Sequence, residues 1–397
     1  MNIRKSKMKI LISANNYPTP KYPLQAFIGV LCRELTRQGH EVSVISAQLV
    51  LSVIRHHIGM MPKYFEDEVQ TDQGVKVIKV YRPKVIAPGS GGKLGNLSRW
   101  LVRKTIEHTV EKIDENFDVV YCHFWLYATY VMKYVKKHDL PLFVATGEDT
   151  IKAEVLGGKT FMNLLYKETK GVICVSTKNK EESIAKHLTS EDRCIVLPNA
   201  IESDIFHKMN KMTLRKQLGF PDDAFIVAFC GRFNQRKGAF RLAEAIQMCN
   251  DSNLRAIFIG LPMEGQTKLP ECDGILYRGA LPHEEVAKYL NAADVYVLPS
   301  LAEGCSNSII EAMACGLPII SSDLPFNYDV LNEENAILID PMNVEEIASA
   351  IKKIKENKDL HKRMSDASLQ KASELTIENR VKKILEFINQ RNETRNK

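Results

Sequence analysis

The segment from Glu303 to Glu311 holds two carboxylates eight positions apart around small and polar residues. It follows a predicted strand and leads into a predicted helix over 308–315, which Gly316 and Pro318 end. The first N–H groups of a helix lack internal partners, and the helix dipole is positive there, so the segment predicts an anion-binding site. A carboxylate on each side suits a ligand with sugar hydroxyls on both sides of a diphosphate.

The residues between the two glutamates have predicted roles of their own. Ser306 or Asn307 is the expected N-cap, and Gly304 lets the backbone approach a ligand closely. In a simpler interpretation the two glutamates only complement the helix dipole, which explains Glu311 well and Glu303 poorly.

A second candidate is the basic segment 231–238, which reads GRFNQRKG. It follows a predicted strand over 226–230 and precedes a predicted helix over 240–249. Arg232 and Lys237 could clamp a diphosphate there, the arginine by bidentate hydrogen bonds. The alternative is a solvated basic turn without a ligand.

Two nucleotide-binding motifs are absent. The glycine cluster 89–95 would need Gly at position 87 and Ser or Thr at 94 to form a phosphate loop, but these positions hold Ala87 and Leu94. We therefore expect a mobile loop there. The turn after the first strand lacks G-x-G-x-x-G, so the sequence does not indicate an NAD enzyme.

Short β-branched runs alternate with amphipathic helical patterns along the whole chain and would position these segments. In the first half we predict strands at 9–14, 41–46, 75–81, 118–122 and 141–145, and helices at 25–37, 97–113 and 127–137. In the second half we predict strands at 226–230, 256–260, 275–278, 295–298, 318–321 and 336–339, and helices at 240–249, 283–291, 308–315, 360–374 and 377–388. This rhythm predicts an α/β protein of two doubly wound, Rossmann-like domains that share a cleft, with a turn at 197–200 between them.

Composition agrees with this reading. The 397 residues suffice for two domains, and 45% hydrophobic with 26% charged residues is typical of a soluble globular protein. Nine scattered cysteines without a CxxC pair make a disulfide framework or a zinc site improbable and favour a reducing cytosol. We find neither a secretory leader nor a membrane-spanning segment.

Charge is distributed unevenly along the chain. Residues 1–100 hold 15 Lys and Arg against 6 Asp and Glu, whereas residues 301–350 hold no Lys or Arg and 9 Asp and Glu. The basic region predicts an anionic partner surface such as a membrane, with a solvated basic face as the alternative. Its candidate contact residues are His56, His57, Lys63, Arg82, Lys84, Lys93, Arg99, Trp100, Arg103 and Lys104. A nucleic-acid partner is not expected, because the stretch carries no known motif.

Taken together, these residues resemble glycosyltransferase family 4, a family of retaining enzymes with the GT-B fold. The matching segments are 39–42 (GHEV), 119–123 (VVYCH), 175–176 (VS), 197–200 (LPNA), 231–232 with 237–238, 293–295 (ADV), 299–300 with 303–304, and 311–318 (EAMACGLP). The match covers nearly the whole chain, and its most specific part is the E-x7-E pattern of Glu303 and Glu311.

The resemblance implies a role for each site residue. Arg232 and Lys237 would bind the donor diphosphate and stabilise the leaving group, while Glu303 would contact hydroxyls of the transferred sugar. Glu311 would contact the nucleotide ribose, and Leu281 would lie against the base. Backbone amides of Gly304, Cys305, Ser306, Asn307 and Ser308 would hold sugar and phosphate. His123 would reach toward the sugar from the N-terminal domain, with Gly147 and Asp149 on the acceptor side.

It also implies an organisation and a reaction. Residues 1–197 would form the acceptor-side domain, 198–375 the nucleotide-sugar domain, and 376–397 a helix that crosses back, with the two domains facing each other across the cleft. The expected activity is transfer of a sugar from a UDP- or GDP-sugar to a glycan or lipid-linked acceptor, in cell-surface polysaccharide synthesis. No cofactor is implied. Since the chain contains no D-x-D pair, fixed cations rather than a metal would hold the diphosphate.

Three departures from the family pattern lie on the acceptor side. They are residues 22–26 in place of a Gly-rich loop, Thr146 where a His is common, and Tyr121 in place of the first His of H-x-H. Two other functions remain open: a sugar-nucleotide 2-epimerase of the same fold, and a non-catalytic glycan- or nucleotide-binding module. The expected location is the cytoplasm, at the inner face of the membrane if the basic region docks there.

Overall fold

The computed structural model describes residues 7–19, 25–55, 59–89 and 92–393. The chain forms two compact units. The first comprises Met1–Val175, Asn179–Leu197 and Val381–Lys397, and the second comprises Ser176–Lys178 and Pro198–Arg380. Among the sequence predictions, residues 22–24 and the basic-region residues His56 and His57 lie outside the described ranges.

The first unit alternates strands and helices along most of its length. Its strands are β1 (Lys9–Ala14), β2 (Glu41–Ile45), β3 (Gln48–Leu49), β4 (Tyr64–Thr71), β5 (Gly74–Tyr81), β6 (Lys84–Val85), β7 (Val119–His123), β8 (Leu142–Thr146), β9 (Thr169–Cys174) and β10 (Cys194–Val196). Its helices are α1 (Ala26–Arg37), α2 (Val50–Arg55), α3 (Gly92–Val110), α4 (Trp125–Lys137), α5 (Gly158–Glu168) and α6 (Thr177–Ala185), with 3-10 turns at Ala153–Leu156 and Glu191–Arg193.

Eight of these strands form one sheet in the order β10-β9-β8-β7-β1-β2-β5-β4, and β3 pairs with β6 in a separate two-stranded sheet. All pairs in the large sheet are parallel except β4 with β5. The chain order reverses at β1, which has β2 on one side and β7 on the other. Ligands of doubly wound sheets bind beyond the carboxyl ends of the strands at such a switch point.

Helix α3 corrects one sequence prediction. We expected a mobile loop over residues 89–95, but the helix begins at Gly92, five residues before the predicted start. Glycine in a helix costs about 1 kcal/mol relative to alanine. Burial on one face offsets that cost, because Gly95, Ser98 and Val102 are buried at helical spacing, and the Ser98 hydroxyl donates to the Gly89 carbonyl at 2.6 Å.

The second unit repeats the alternation. Its strands are β11 (Phe225–Cys230), β12 (Leu254–Ile259), β13 (Ile275–Gly279), β14 (Val295–Leu298), β15 (Ile319–Ser322) and β16 (Ala336–Ile339). Its helices are α7 (Lys211–Leu218), α8 (Ala239–Cys249), α9 (His283–Ala292), α10 (Asn307–Ala314), α11 (Val344–Glu356) and α12 (Lys358–Glu374), and the chain continues into α13 (Ile377–Glu393).

The second sheet has the strand order β13-β12-β11-β14-β15-β16, and every pair in it is parallel. This is the 3-2-1-4-5-6 order of a dinucleotide-binding Rossmann domain. Its switch point lies between β11 and β14, the two strands that precede the predicted donor-binding segments. The topology therefore brings those segments together although 66 positions separate Lys237 from Glu303.

Residues from Val381 onward belong to the first unit. Phe387 of α13 packs against Phe143 of β8 with ring centroids 6.1 Å apart. A Cβ atom on Gly171 of β9 would lie 2.6 Å from the Phe387 ring, so the bare glycine backbone makes room for it. The guanidinium of Arg391 donates to the Lys170 carbonyl at 3.0 Å. The last helix thus completes the core beside β8 and β9.

Candidate functional site

The loop between β11 and α8 has a fixed shape. The Asn234 side chain accepts the backbone N–H of Lys237 at 2.8 Å. Gly238 has φ +79°, and a Cβ atom there would lie 2.4 Å from the Pro299 carbonyl oxygen. Both the left-handed backbone and the close approach require glycine. This residue therefore lets the loop lie directly against the end of β14.

Three hydrogen bonds hold this loop and the start of α8 to the loop that follows β14. Leu301 N–H donates to the Arg236 carbonyl at 2.8 Å, and the Arg236 guanidinium donates to the Ala302 carbonyl at 2.8 Å. The Arg241 guanidinium donates to the Pro299 carbonyl at 2.8 Å. The two predicted donor-binding segments are therefore one connected structure.

Glu303 lies at the centre of that structure. Its side chain is buried, and Lys237 Nζ lies 2.6 Å from its Oε1. Arg236 is farther, 3.8 Å from Oε2. The contact with Lys237 is an ion pair without hydrogen-bond alignment, so Oε1 keeps its capacity to accept a hydrogen bond from a ligand hydroxyl. The dipole interpretation does not explain this geometry, because the partners of Glu303 are cationic side chains.

The N-terminus of α10 follows Glu303 by three residues. Ser306 is the N-cap, as predicted, but its side chain makes no capping hydrogen bond. It lies instead 3.1 Å from the Ser308 hydroxyl, which is 2.7 Å from the hydroxyl of buried Tyr296. Among the residues that the structure describes, no side chain accepts a hydrogen bond from the first N–H groups of this helix, so these groups can bind an anion.

Asn199 positions this terminus from the segment predicted to be a turn. Its side-chain amide lies 3.0 Å from the Cys305 carbonyl oxygen and 2.7 Å from the Asn307 side-chain oxygen. The Cys305 thiol is buried, which raises its pKa to about 11. Cys305 can thus offer a ligand its backbone rather than its side chain. Gly304 is buried as well.

Glu311 lies in the second turn of α10, and His283 Nε2, at the start of α9, lies 3.2 Å from its Oε1. The hydrogen bond to Glu311 raises the pKa of His283. The His283 ring also packs against Phe206, with centroids 5.0 Å apart. This histidine was predicted only as the start of a helix.

Arg232 and Leu281 lie at the periphery. The Arg232 side chain is exposed and lines an open depression of about 910 Å³ together with Asn234, Arg236 and Lys268. Leu281 is half-buried and follows Ala280, whose carbonyl accepts the Tyr277 hydroxyl at 2.7 Å. The structure thus joins Lys237 and Glu303 by a direct contact, three residues before the N-cap of α10, whereas it shows no direct contact from Arg232 or Leu281 to Glu303.

In the first unit, His123 is buried at the carboxyl end of β7, among the rings of Phe27, Tyr121 and Phe124. Gly147 is half-buried and Asp149 is exposed. Between them, the Glu148 carboxylate accepts the Thr146 hydroxyl at 2.6 Å and the Trp125 N–H at the start of α4 at 3.2 Å. Burial raises the Glu148 pKa despite these donors.

The basic region is partly internal. Arg82 is buried and donates to the Asn16 side chain, so it cannot belong to a docking face as predicted. Arg103 is half-buried, with its guanidinium 4.1 Å from the centre of the Phe161 ring. Lys63, Lys84, Lys93 and Lys104 are exposed.

The described ranges contain no group of three or more His, Cys, Asp or Glu side chains that could hold a metal ion. No helix in them is long and apolar enough to cross a bilayer.

Family models match both halves of the chain. Residues 25–205 match glycosyltransferase family 4, and residues 210–371 match glycosyl transferases group 1. TuaC of Bacillus subtilis, provisionally described as a teichuronic acid biosynthesis glycosyltransferase, is 30% identical over 87% of this chain and 88% of its own length. The chain is a family 4 glycosyltransferase. An Escherichia coli UDP-Gal:α-D-GlcNAc-diphosphoundecaprenol α-1,3-galactosyltransferase is 28% identical to it over 49% of this chain and 53% of its own.

Solved structures agree with the fold of this glycosyltransferase. Sucrose-phosphate synthase from Thermosynechococcus elongatus superposes with a TM-score of 0.75 at 19% identity, covering 97% of this chain and 99% of its own. The Anabaena protein HepE, solved in complex with UDP-glucose, has a TM-score of 0.70 at 18% identity. The match covers 96% of this chain and 100% of HepE. The predicted GT-B fold with two Rossmann-like domains is confirmed.

Sequence reasoning missed several residues that support the site of this glycosyltransferase. The sequence indicates only a basic segment at Arg236 and a turn at Asn199. It indicates only a helix at His283 and a strand at Tyr296. In each case the residue type was visible, but its partner lies on a segment remote in sequence. The roles predicted for the site residues remain predictions.

Proposed function

We propose that this glycosyltransferase transfers a sugar, with retention of anomeric configuration and without a metal ion, from a nucleotide sugar to a glycan or lipid-linked acceptor. UDP- and GDP-sugars are the proposed donors, and synthesis of cell-surface polysaccharide in the cytoplasm is the proposed setting. Peripheral contact of the basic region with an anionic membrane is part of the proposal, carried now by its exposed lysines and not by Arg82.

The arrangement of Lys237, Glu303 and the uncapped start of α10 carries this proposal. It places a cation, a buried carboxylate and free helical N–H groups at the switch point of a Rossmann sheet. A diphosphate needs the cation and the N–H groups, and sugar hydroxyls need the carboxylate. A structurally similar protein solved with UDP-glucose supports a nucleotide-sugar donor.

In the proposed reaction, cationic groups matter most while the bond between the donor sugar and the diphosphate breaks. As the bond between the anomeric carbon and the phosphate oxygen lengthens, negative charge grows on the diphosphate. Lys237, exposed Arg232 and the α10 dipole would stabilise that charge without a metal. The acceptor oxygen would bond to the anomeric carbon from the same face, and its proton would pass to the departing phosphate oxygen.

Glu303 would orient the sugar rather than attack it. Its carboxylate is paired with Lys237, which lowers its nucleophilicity but leaves lone pairs for sugar hydroxyls. Glu311 would bind the ribose, with His283 holding its carboxylate in place. The role of His123 toward the sugar stays a prediction.

The acceptor class rests on the relatives. One is described for teichuronic acid biosynthesis, and another transfers galactose to a diphosphoundecaprenol-linked sugar. The first description supports a cell-surface polymer as the product, and the second supports a lipid-linked acceptor for this chain.

A donor panel tests the proposal. UDP-, GDP- and ADP-sugars are supplied with excess chelator, and binding, slow hydrolysis and transfer are measured, with the anomeric configuration read by NMR. We expect turnover with a UDP- or GDP-sugar and a retained anomer. Dependence on added metal or an inverted anomer would contradict the mechanism. An isomerised nucleotide sugar would indicate an epimerase, and binding without turnover a non-catalytic module.

A further inference from the structure

A mostly apolar cavity of about 380 Å³ lies within the first unit, and none of the residues predicted for the donor site or the acceptor side lines it. Its apolar wall is formed by Leu49, Leu51, Val102, Ile106 and Leu126. Tyr127 and Tyr130 of α4 also line it, with ring centroids 5.6 Å apart. A concave, apolar site with few polar groups is typical of small-ligand binding sites.

The cavity lies where a Rossmann-like sheet binds its ligand. Asn15, which follows β1, lines it, and so does Ala47, which follows β2. Leu126 is in the first turn of α4, just after β7. Since β1 and β7 flank the switch point of this sheet, the cavity is at the carboxyl edge where substrates are expected.

Exposed apolar side chains are carried by the same elements that line the cavity. Ile54 of α2 is 61% exposed, and Ile86, directly after β6, is 68% exposed. Leu94, Leu97 and Trp100 of α3 are exposed as well. Exposed apolar residues grouped on neighbouring elements are typical of an interaction site.

The charged residues that line the cavity are Arg55 and Arg99, and no carboxylate lines it in the described ranges. Arg55 is exposed at the end of α2, and Arg99 is half-buried on α3. Burial raises the Tyr130 pKa to about 12, while the positive charges of Arg99 and Arg103 oppose the rise, which places cationic charge close to the Tyr130 phenol. The cavity therefore combines an apolar interior with guanidinium groups, which bind phosphate well.

We propose that this cavity binds the hydrocarbon chain of a lipid-linked acceptor, with Arg55 and Arg99 holding the phosphate next to that chain. The assignment to an acceptor, rather than to lipid of the bilayer, comes from its place at the switch point beside β7. The assignment to an acceptor rests on the proposed function. Binding of the hydrocarbon chain, however, can be measured without a donor and without turnover.

A series of alkyl phosphates with increasing chain length tests whether the cavity binds a hydrocarbon chain together with a phosphate. Octyl, decyl and dodecyl phosphate are titrated by calorimetry below their critical micelle concentrations. We expect each added pair of methylenes to tighten binding about 15-fold, as for full burial of the chain. Inorganic phosphate and dodecyl maltoside, which each lack one half of the ligand, should bind much more weakly. Equal binding of all three alkyl phosphates would overturn the proposal.

Variants locate the binding. Ala87, which is half-buried on the cavity wall, is changed to Phe to fill the cavity. Val75→Phe, at an exposed position of β5, is the matched control. We expect Ala87→Phe to abolish dodecyl phosphate binding and Val75→Phe to leave it unchanged. The double variant Arg55→Ala, Arg99→Ala should bind dodecyl phosphate at least tenfold more weakly. Lys133→Ala, at an exposed position of α4 outside the cavity, should not change this affinity. Unchanged binding in Ala87→Phe would refute the site.

An experiment with phosphatidylglycerol vesicles distinguishes a lipid-linked acceptor from bilayer lipid as the ligand of the cavity. Flotation with vesicles should be similar for the wild type and Ala87→Phe, because bilayer contact does not need the cavity. Loss of vesicle binding in Ala87→Phe would overturn the acceptor assignment in favour of membrane docking. UDP binding, measured on every variant, reports on the second unit. A failed donor panel with intact dodecyl phosphate binding would thus refute the proposed reaction and not the lipid site.

Discussion

Lys237 Nζ lies 2.6 Å from Glu303 Oε1, although the two residues come from loops after different strands. Glu303 is only 6% exposed, so its charge is balanced by Lys237 and, at longer range, by Arg236. Removing one member of a buried ion pair leaves the other uncompensated. The pair is therefore a sensitive point for both donor binding and local structure.

Replacing Glu303 by Gln should lower kcat/KM for sugar transfer roughly 100-fold, a loss typical of removing one preorganised polar contact. The amide is close in size but cannot balance Lys237 or bind hydroxyls as a charged acceptor. Steady-state kinetics with the donor found in the panel checks this, and far-UV circular dichroism confirms folding. Glu285→Gln, in an exposed pair with Lys288, is the control and should retain wild-type rates.

Gly238→Ala should disrupt the contact between the two donor loops. The substitution combines a left-handed φ with a Cβ only 2.4 Å from the Pro299 carbonyl, so we expect destabilisation of about 3 kcal/mol or more and weaker UDP binding. Gly219→Ala is the matched control, because φ is +69° there but nothing lies within 4 Å. It should cost only about 1 kcal/mol. Similar urea midpoints for the two variants would show that the approach to Pro299 is not restrictive.

Asp294→Ala should strongly destabilise the second unit. Its carboxylate lies 2.6 Å from both Arg215 and Lys211 and accepts the Ile226 N–H at 2.7 Å. Because Arg215 is buried, removing its carboxylate partner should lower the free energy of unfolding, measured in urea, by about 3–5 kcal/mol. Asp366→Ala, which breaks a fully exposed pair with Lys362, should leave the unfolding midpoint unchanged.

His283 should make stability depend on pH through Glu311. Its pKa is raised in the folded state, so its stabilising effect is complete below the unfolded-state pKa near 6.5 and is lost as pH rises through the folded pKa. Denaturant unfolding of the wild type and His283→Gln should therefore differ more at about pH 5.5 than at about pH 9. In a Glu311→Gln background this pH-dependent difference should disappear; if it persists, another group holds the histidine.

The alternation of strands and helices was enough to predict two Rossmann-like sheets. It could not predict that β11 and β14 are neighbours, because strand order is decided by packing between remote segments. The E-x7-E segment and the basic loop were therefore identified separately, and their joining through Lys237 and Glu303 appears only in the structure. Arg232, the other predicted cation, makes no such contact with Glu303.

Other differences have local causes. Strand β4 was missed because Glu66, Asp67 and Glu68 interrupt its apolar pattern, yet its pairing with β5 supplies the stability that the pattern did not show. The start of α3 is not evident from the sequence, because its glycines favour a loop and their helical state depends on burial of one face of the helix. Arg82 was counted as a surface charge, although a partner on the β1 loop allows its burial.

The first unit is discontinuous, since it takes in Val381 and the residues after it. During synthesis, residues up to Leu197 of this unit therefore leave the ribosome before Val381 and the residues after it are made, and Phe387 can cover Phe143 and Gly171 only afterwards. A nascent chain stalled after α12 would expose that face of β8 and β9. Chaperone dependence and sensitivity to premature stop codons should accordingly be a property of the first unit, although the residues that it then lacks lie about 180 positions downstream of Leu197.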